Sequence, residues 1–464
     1  MIKQDYDVII VGAGPAGIFA ALELVTAKQD ISILILEKGR DINNRNCPSK
    51  EQGNKCINCS PCSIVCGWGG AGAFSDGKIT LSTEVGGMLG SYIGVGELSE
   101  LISYVDRIYV SYGGPQIVYG VEEEDAIRDI QRKAAFAELK LIPAPIRHLG
   151  TGRCGEILER MKDFLVSKSV DIQTGTEIKN LLVKDNKISA VETTDGLIVS
   201  GKYVIVAPGR EGSEWLSQQA QQLNITTAVN PVDIGVRVEL PAAVMEHLTK
   251  VVYESKFVYF SRTFDDKVRT FCMNPYGEVV SENNRGLITV NGHSHAHHKT
   301  ENTNFAVLVS KTFTEPFKEP IAYGKYVAQL ANLLGGGIIV QRLGDLIKGQ
   351  RTNADRLHKC MVEPTLKDAT PGDLSLVFPY RHLMGIVEML KALDMIAPGV
   401  YSKHTLLYGV EVKFYSSRLE LNGELETAIE NLFAAGDGAG VTRGLAQASA
   451  AGVVTARAIL KRVS

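Results

Sequence analysis

The stretch YDVIIVGAGPAGIFAALELVTAKQDISILILE, residues 6–37, constrains the fold of this chain more than any other. Residues 8–11 are fully apolar and read as a strand buried on both faces of a parallel sheet. The run passes into Gly12, Ala13, Gly14, Pro15, Ala16 and Gly17, then into an Ala-rich apolar segment with helical spacing through residue 25. A second buried strand over residues 31–36 ends in Glu37, twenty residues after Gly17. Strand, glycine turn, helix, strand and acid in that order form a dinucleotide-binding unit. Gly12 permits the tight turn, Gly14 lets the backbone approach a pyrophosphate, and Gly17 lets the helix pack close to the strand. Glu37 can accept hydrogen bonds from ribose hydroxyls. A membrane span over residues 8–22 is the competing reading, but the run is short, holds three Gly and a Pro, and stops at Glu23. No basic leader with a cleavage site is evident.

At 464 residues the chain has room for two or three domains with a large buried core. Its formal charge of −3 gives no electrostatic case for nucleic acid or an anionic membrane as partner. The 46 glycines fall in clusters, which points to backbone-lined ligand sites. A soluble cytoplasmic protein is the expectation.

In such a compartment the eight cysteines are read as metal or redox chemistry and not as a disulfide frame. Cys56, Cys59, Cys62 and Cys66 have the spacing C-x2-C-x2-C-x3-C, the bacterial ferredoxin run with Gly67 where that run has Pro. Thiolates at these intervals can converge on one centre, as a 4Fe-4S cluster or zinc requires. Either Cys66 completes the set, or Cys47 or a remote Cys supplies the fourth ligand. Structural thiols, or thiols cycling through a disulfide, are the remaining alternative. Directly after comes GWGGAGAFSDGK, with five glycines between residues 67 and 77, too many for a stable helix or central strand. Trp68 and Phe74 make it unlike a flexible tether.

Helices are predicted over residues 99–109, 122–141 and 156–167, and strands over 171–174, 178–184, 187–193 and 197–206 with a turn at Asp195-Gly196. That small meander leads into an apolar strand and the loop Ala207-Pro208-Gly209. Residues 231–351 look like a separate domain. It holds His293, His295, His297 and His298, the first three alternating as a strand-borne metal site would; a solvated or substrate-facing loop is the preferred reading, since no acid is close in sequence. Near the C-terminus NLFAAGDGAG is a strand running into a glycine turn with an embedded acid, Asp437, followed by an Ala-rich helix over about 444–460. The two ends of the chain are therefore expected to share one cofactor site.

Together GAGPAG with Glu37, the meander and AAGDGAG resemble the glutathione-reductase-like FAD flavoproteins. More narrowly, the Cys-rich loop leading into GWGGAGAFSDGKITLS, HLGTGR, VDIGVRVELP, TLLYGVEVKFYS and AAGDGAGVTRGLAQASAAG resemble the uncharacterised FAD-dependent dehydrogenase family of bacteria. The resemblance implies an α/β fold: an FAD-binding domain with a parallel sheet and β-meander (residues 1–230 and 352–464) plus an inserted α+β substrate domain (231–351). It places Gly12, Gly14, Gly17 and Glu37, with Pro15, Ala16 and Lys38, at the ADP half of FAD. Gly436, Asp437 and Gly438 lie at the pyrophosphate and ribityl chain, and Arg443, Gly444 and Gln447 at the pyrimidine edge. Ala207 and Gly209, and the segment with Gly69, Gly70, Gly72, Ser75, Asp76, Gly77 and Lys78 over the isoalloxazine, complete the set. Lys78, His148, Tyr380 and His382 are candidates for a proton donor.

The implied activity is an FAD-dependent oxidoreductase that moves a hydride between a small-molecule substrate and flavin N5, with the second domain covering the substrate. One alternative is an iron–sulfur flavoprotein fed by a ferredoxin-like or nicotinamide electron donor. Another is a redox-sensing binding protein that uses FAD and its thiols as a switch.

Overall fold

The computed structural model describes residues 3–463 apart from 29, 49–56, 58, 76, 122, 151, 253, 285, 295–298, 314–316, 318 and 415–417. The chain forms two compact units: residues 1–118, 146–230 and 415–464 make the first, and residues 119–145 and 231–414 the second.

The first unit is built on a seven-stranded sheet. Strand Asp5–Val11 lies at its centre, paired in parallel with Ile33–Glu37 on one side and Ile198–Val206 on the other. With partners on both edges and helices on the faces, Val8, Ile9 and Ile10 are completely buried, which is why the run needs no polar alternation. Asp171–Thr174 extends the parallel part beyond Ile33–Glu37. Ile198–Val206 serves two partners on its far edge. Its first residues pair with the antiparallel meander Ile178–Lys184 and Lys187–Thr193, and its last residues pair in parallel with Leu432–Ala434. That strand carries the C-terminal segment back onto the N-terminal sheet.

Helix Pro15–Ala27 leaves the glycine turn and packs against the last helix, Leu445–Val463. The approach is closest at Gly452, where a Cβ would stand 2.0 Å from the Ala16 carbonyl oxygen, so a side chain there would force the helices apart. Nine of the thirteen residues of Pro15–Ala27 are buried, which explains its nearly uniform apolar composition.

The second unit holds an eight-stranded sheet ordered Thr370–Pro371, Ile339–Arg342, Leu406–Lys413, Val232–Pro241, Asn302–Lys311, Lys267–Asn274, Lys256–Phe260 and Lys140–Ile142. All neighbours are antiparallel except the first pair. Strand Val232–Pro241 is buried up to Leu240 yet alternates. Ile234, Val236, Val238 and Leu240 join the apolar core with helix Tyr380–Asp394. Asp233, Arg237 and Glu239 occupy the other face, where Arg237 reaches Glu411 at 3.1 Å and Asn304 at 2.9 Å. Glu239 accepts from Asn302, Thr365 and Tyr408.

The observed class is the expected one, α/β with a meander-bearing sheet and an α+β insert. The insert is larger than expected: it takes residues 352–414, because Leu406–Lys413 inserts between Val232–Pro241 and Ile339–Arg342. It also takes 119–145. The helix predicted over 122–141 spans Glu124–Phe136, and Glu138 then adopts a left-handed φ of 59° that ends it. Lys140–Ile142 becomes the edge strand beside Lys256–Phe260. Among the described residues, no helix is long and apolar enough to cross a membrane.

Candidate functional site

The glycine turn is folded as its spacing requires. At Gly12 φ is +106° and a Cβ would lie 2.2 Å from the Ala207 carbonyl oxygen; at Gly17 a Cβ would lie 2.0 Å from the Gly12 carbonyl oxygen. Both positions are closed to side chains by the fold itself. Gly14 differs. It caps helix Pro15–Ala27 with an extended φ of −78°, which any residue adopts, and no atom lies within 4 Å of its missing Cβ. The helix has no side-chain cap and no acid in its first turn. Its N-terminus therefore keeps its positive potential and its free N–H groups for an anion.

Glu37 is buried, and its carboxylate is a hub for backbone donors. Oε2 accepts from Ala13 N–H at 2.8 Å, and Oε1 accepts from Gly39 at 2.8 Å and Gly67 at 2.9 Å. A carboxylate has about four lone-pair sites, so one remains for a ribose hydroxyl. The same acid thus ties the glycine turn to the loop after the second strand and to the segment behind the cysteines. Half-buried Lys38 follows it, and its charge acts on Cys66.

The glycine segment lies against this turn. Gly69 N–H donates to Ala13 O at 2.7 Å, and a Cβ on Gly70 would come within 3.2 Å of Gly14 Cα. Residues Gly70–Phe74 form a short 3-10 helix where no regular element was expected. Gly72 faces Leu445 and Pro15. Ser75 closes the turn, its hydroxyl donating to Gly72 O and accepting from Gly77 N–H. Gly77 abuts Cys154 and Leu149, so its missing side chain serves packing within the chain. Trp68, fully buried, fixes the segment by donating from Nε1 to Leu158 O at 2.8 Å.

Sequence reasoning missed Arg45. Its buried guanidinium donates to Ser63 O, Trp68 O and Ile64 O, holding the cysteine loop to the glycine segment. Burial pulls its pKa down to about 10, with Glu37 opposing. Nothing in INNRNC marks that arginine as buried.

The C-terminal arm meets the same turn. Gly436, at φ +80°, would place a Cβ 3.2 Å from the Ala16 Cβ, and Gly438 sits against the backbone of Gly209. Asp437 accepts from the Thr442 hydroxyl at 2.9 Å and Gly444 N–H at 3.3 Å, with Arg210 Nε 4.0 Å away. Burial pushes its carboxyl up, while Arg210, Thr442 and Gly444 oppose. Arg443 N–H donates to Gly86 O at 2.6 Å, and Met88 N–H to Val441 O, so residues 86–88 brace the start of the last helix. Gln447 donates to Val85 O at 3.0 Å, but its Oε1 is buried without a partner. An orphaned acceptor of this kind calls for a donor from outside the protein or from water.

The four proton-donor candidates are not one group. Lys78 and His148 are register partners on the antiparallel pair Lys78–Thr80 and Ile146–His148 of the first unit. Tyr380 and His382 belong to the second unit, Tyr380 exposed and His382 buried.

The metal centre expected of the cysteine run is not assembled by its described members. Cys66 is buried, and burial pushes its thiol up to about 12, whereas Cys59 is exposed and Cys62 half-buried. The backbone at Cys66 and Gly67 packs on Gly39, which turns that end of the run inward. Among the described residues, no three His, Cys, Asp or Glu side chains are grouped as a metal ion would need, and Cys47, Cys59, Cys62 and Cys66 are free thiols. Cys56, Asp76, His295, His297 and His298 lie outside the described residues; His293 ends the strand Leu287–His293.

Residues 231–414 match a family model described as FAD-dependent protein, C-terminal domain-like, and residues 7–57 one described as Lycopene cyclase protein. An uncharacterized protein of Clostridium beijerinckii is 25% identical over 479 aligned positions, covering 98% of this chain and 80% of that protein. Among solved structures, the 3-ketosteroid-delta4-(5alpha)-dehydrogenase of Rhodococcus jostii aligns with a TM-score of 0.46 and 13% identity over 98% of this chain and 97% of its own. The L-proline dehydrogenase of P. horikoshii aligns with a TM-score of 0.41 and 14% identity over 99% and 95%.

Proposed function

We propose that this chain is an FAD-dependent oxidoreductase acting on a small-molecule substrate, with the FAD held non-covalently by the first unit. The observation that carries the reading is Gly14. Its conformation suits any residue and its missing Cβ meets nothing in the chain, so the space it leaves fits a ligand and serves no internal packing. That space lies at the uncapped N-terminus of a thirteen-residue helix, where a pyrophosphate would take the free N–H groups.

The other residues fit the remaining parts of the cofactor. Glu37 would take a ribose hydroxyl on its last lone pair. Asp437, with one oxygen turned to Arg210, would take a ribityl hydroxyl. The Gln447 Oε1 would accept the N–H of the pyrimidine edge. Arg443 and the N-terminus of helix Leu445–Val463 would place positive potential beside that edge, where negative charge builds on reduction. Bound there, the flavin supplies two-electron redox chemistry by exchanging a hydride with the substrate at N5. Lys78 and His148 are the first-unit side chains offered for the accompanying proton.

The test is cofactor identity. Protein purified without added flavin is denatured, and the released chromophore is resolved by chromatography and mass. FAD near unit stoichiometry supports the reading. FMN, or a colourless protein that does not take up FAD on titration, overturns it. Gln447→Leu should retain FAD while shifting its reduction potential, because contact with the redox ring is lost along with the bond to Val85 O.

A further inference from the structure

A second built site lies wholly within the second unit. Where strand Asn302–Lys311 ends and helix Tyr380–Asp394 begins, the chain lines an open cavity of about 400 Å³. Its wall includes His382, Lys311, Arg381, Asp266, Phe313 and Tyr323.

Three observations bear on what it holds. His382 is 2% exposed, yet neither ring nitrogen has a hydrogen-bond partner. Leaving both without a partner would cost on the order of 1–3 kcal/mol each, so such an imidazole on a cavity wall calls for an occupant. The charges do not cancel. Asp266 accepts from Arg381 at 2.6 and 2.7 Å and from Lys311 as well, so one carboxylate faces two cations and one positive charge is left over. The neighbouring Ser310 hydroxyl is committed to Asp233, which Arg269 also holds. Finally, the cavity has an aromatic side: the Phe313 and Tyr323 rings pack edge-on at 5.0 Å, and Tyr323 lies 6.1 Å from the His382 ring. No side chain caps helix Tyr380–Asp394, so its N-terminus adds positive potential.

We propose that this cavity binds a small organic monoanion, a carboxylate on a flat apolar body, with Lys311, Arg381 and His382 holding the carboxylate and Phe313 and Tyr323 holding the body. Burial, with Lys311 and Arg381 nearby, pulls His382 down to about 4, so the ring is neutral at ordinary pH and offers one donor to the carboxylate. The leftover positive charge matches one negative charge on the ligand. The proposal does not rest on the flavin reading, since every residue in it belongs to the second unit.

Benzoate is the probe, and the His382 ring resonances of full-length, histidine-labelled protein are the readout. Saturable benzoate binding that shifts those resonances and raises the His382 pKa is expected. The same should hold in Gly14→Val, so that failure of the flavin reading and failure of this one are told apart. Lys311→Met and Arg381→Met should each weaken benzoate about tenfold or more, as loss of one charge-assisted hydrogen bond predicts. Arg381 is half-exposed and tolerates replacement if Lys311→Met does not fold. Benzyl alcohol, which lacks the charge, should bind at least as weakly as benzoate binds those variants. No shift at millimolar benzoate, equal affinity in both Met variants, or benzyl alcohol matching benzoate would overturn the proposal. Inorganic phosphate displacing benzoate at equal concentration would also overturn it, because the apolar body would then contribute nothing.

Discussion

Replacing Glu37 with Gln keeps the shape of the side chain and changes only what it can accept. In the native chain its two oxygens take three buried backbone N–H groups, from Ala13, Gly39 and Gly67. Glutamine offers one acceptor oxygen and an amide group that donates. The less damaging orientation keeps the oxygen on Gly39 and Gly67 and turns the amide against Ala13. One buried N–H then loses its acceptor, a cost of about 1–3 kcal/mol, and two charge-assisted bonds become neutral, at about 1 kcal/mol each. The nearby Arg45 guanidinium also loses the opposing charge that favours it. The sum is about 3–5 kcal/mol, and at about 2–4 °C per kcal/mol for a unit of this size the unfolding midpoint should fall by on the order of 10 °C. Flavin-free protein must be compared by calorimetry, because bound FAD would add its own stabilisation. If Glu37 served only a ribose, the variant would lose FAD affinity while its flavin-free midpoint stayed put. A midpoint unchanged within about 2 °C would therefore refute the hub role.

Three further outcomes are expected. Glu411→Gln strips the charge partner from buried Arg237 and from Lys413 at 2.9 Å, and should destabilise the second unit by about 3–5 kcal/mol in urea unfolding; a change below about 1 kcal/mol would contradict the buried pair. His382, held near 4 in the fold against 6.5 unfolded, is neutral in the native state, so its contribution is intact above pH 6.5 and is lost as pH falls toward 4. That loss is about 3 kcal/mol and should be missing from the acid limb of His382→Leu; matching acid limbs would show that the ring is not buried as described. At pH 8 exposed Cys59 should alkylate readily while Cys66, buried and pushed up to about 12, should not, and equal labelling in peptide mapping would contradict the inward turn of the run.

What the sequence made legible was what neighbours in the chain decide. The strands Asp171–Thr174, Ile178–Lys184 and Lys187–Thr193 fall at the predicted residues, because short strand-forming runs between turn residues are a local signal. The closing of both chain ends on one turn was legible too, from two glycine-rich strand ends with acids at fixed places. Pairings between distant segments were not. Nothing local says that Lys140–Ile142 will edge a sheet through Lys256–Phe260, or that Leu406–Lys413 will insert beside Val232–Pro241, so the unit boundaries shifted. Glu37 was legible as the acid at a strand end, but its backbone donors come from loops whose course the sequence left open. Cysteine spacing suggested a shared centre. Spacing cannot encode that Cys66 is buried while Cys59 stays exposed.

The account's central claim is that the space beside Gly14 belongs to a cofactor, and Gly14→Val tests it most directly. With a φ of −78° and nothing within 4 Å of the new Cβ, the valine variant should fold with an unchanged flavin-free unfolding midpoint. Its side chain should bar the pyrophosphate from the helix N-terminus, losing two charge-assisted hydrogen bonds of about 1.5–3 kcal/mol each, so FAD affinity in a titration of the flavin-free protein should fall about 100-fold or more. A folded Gly14→Val that binds FAD as tightly as the parent chain would contradict the account.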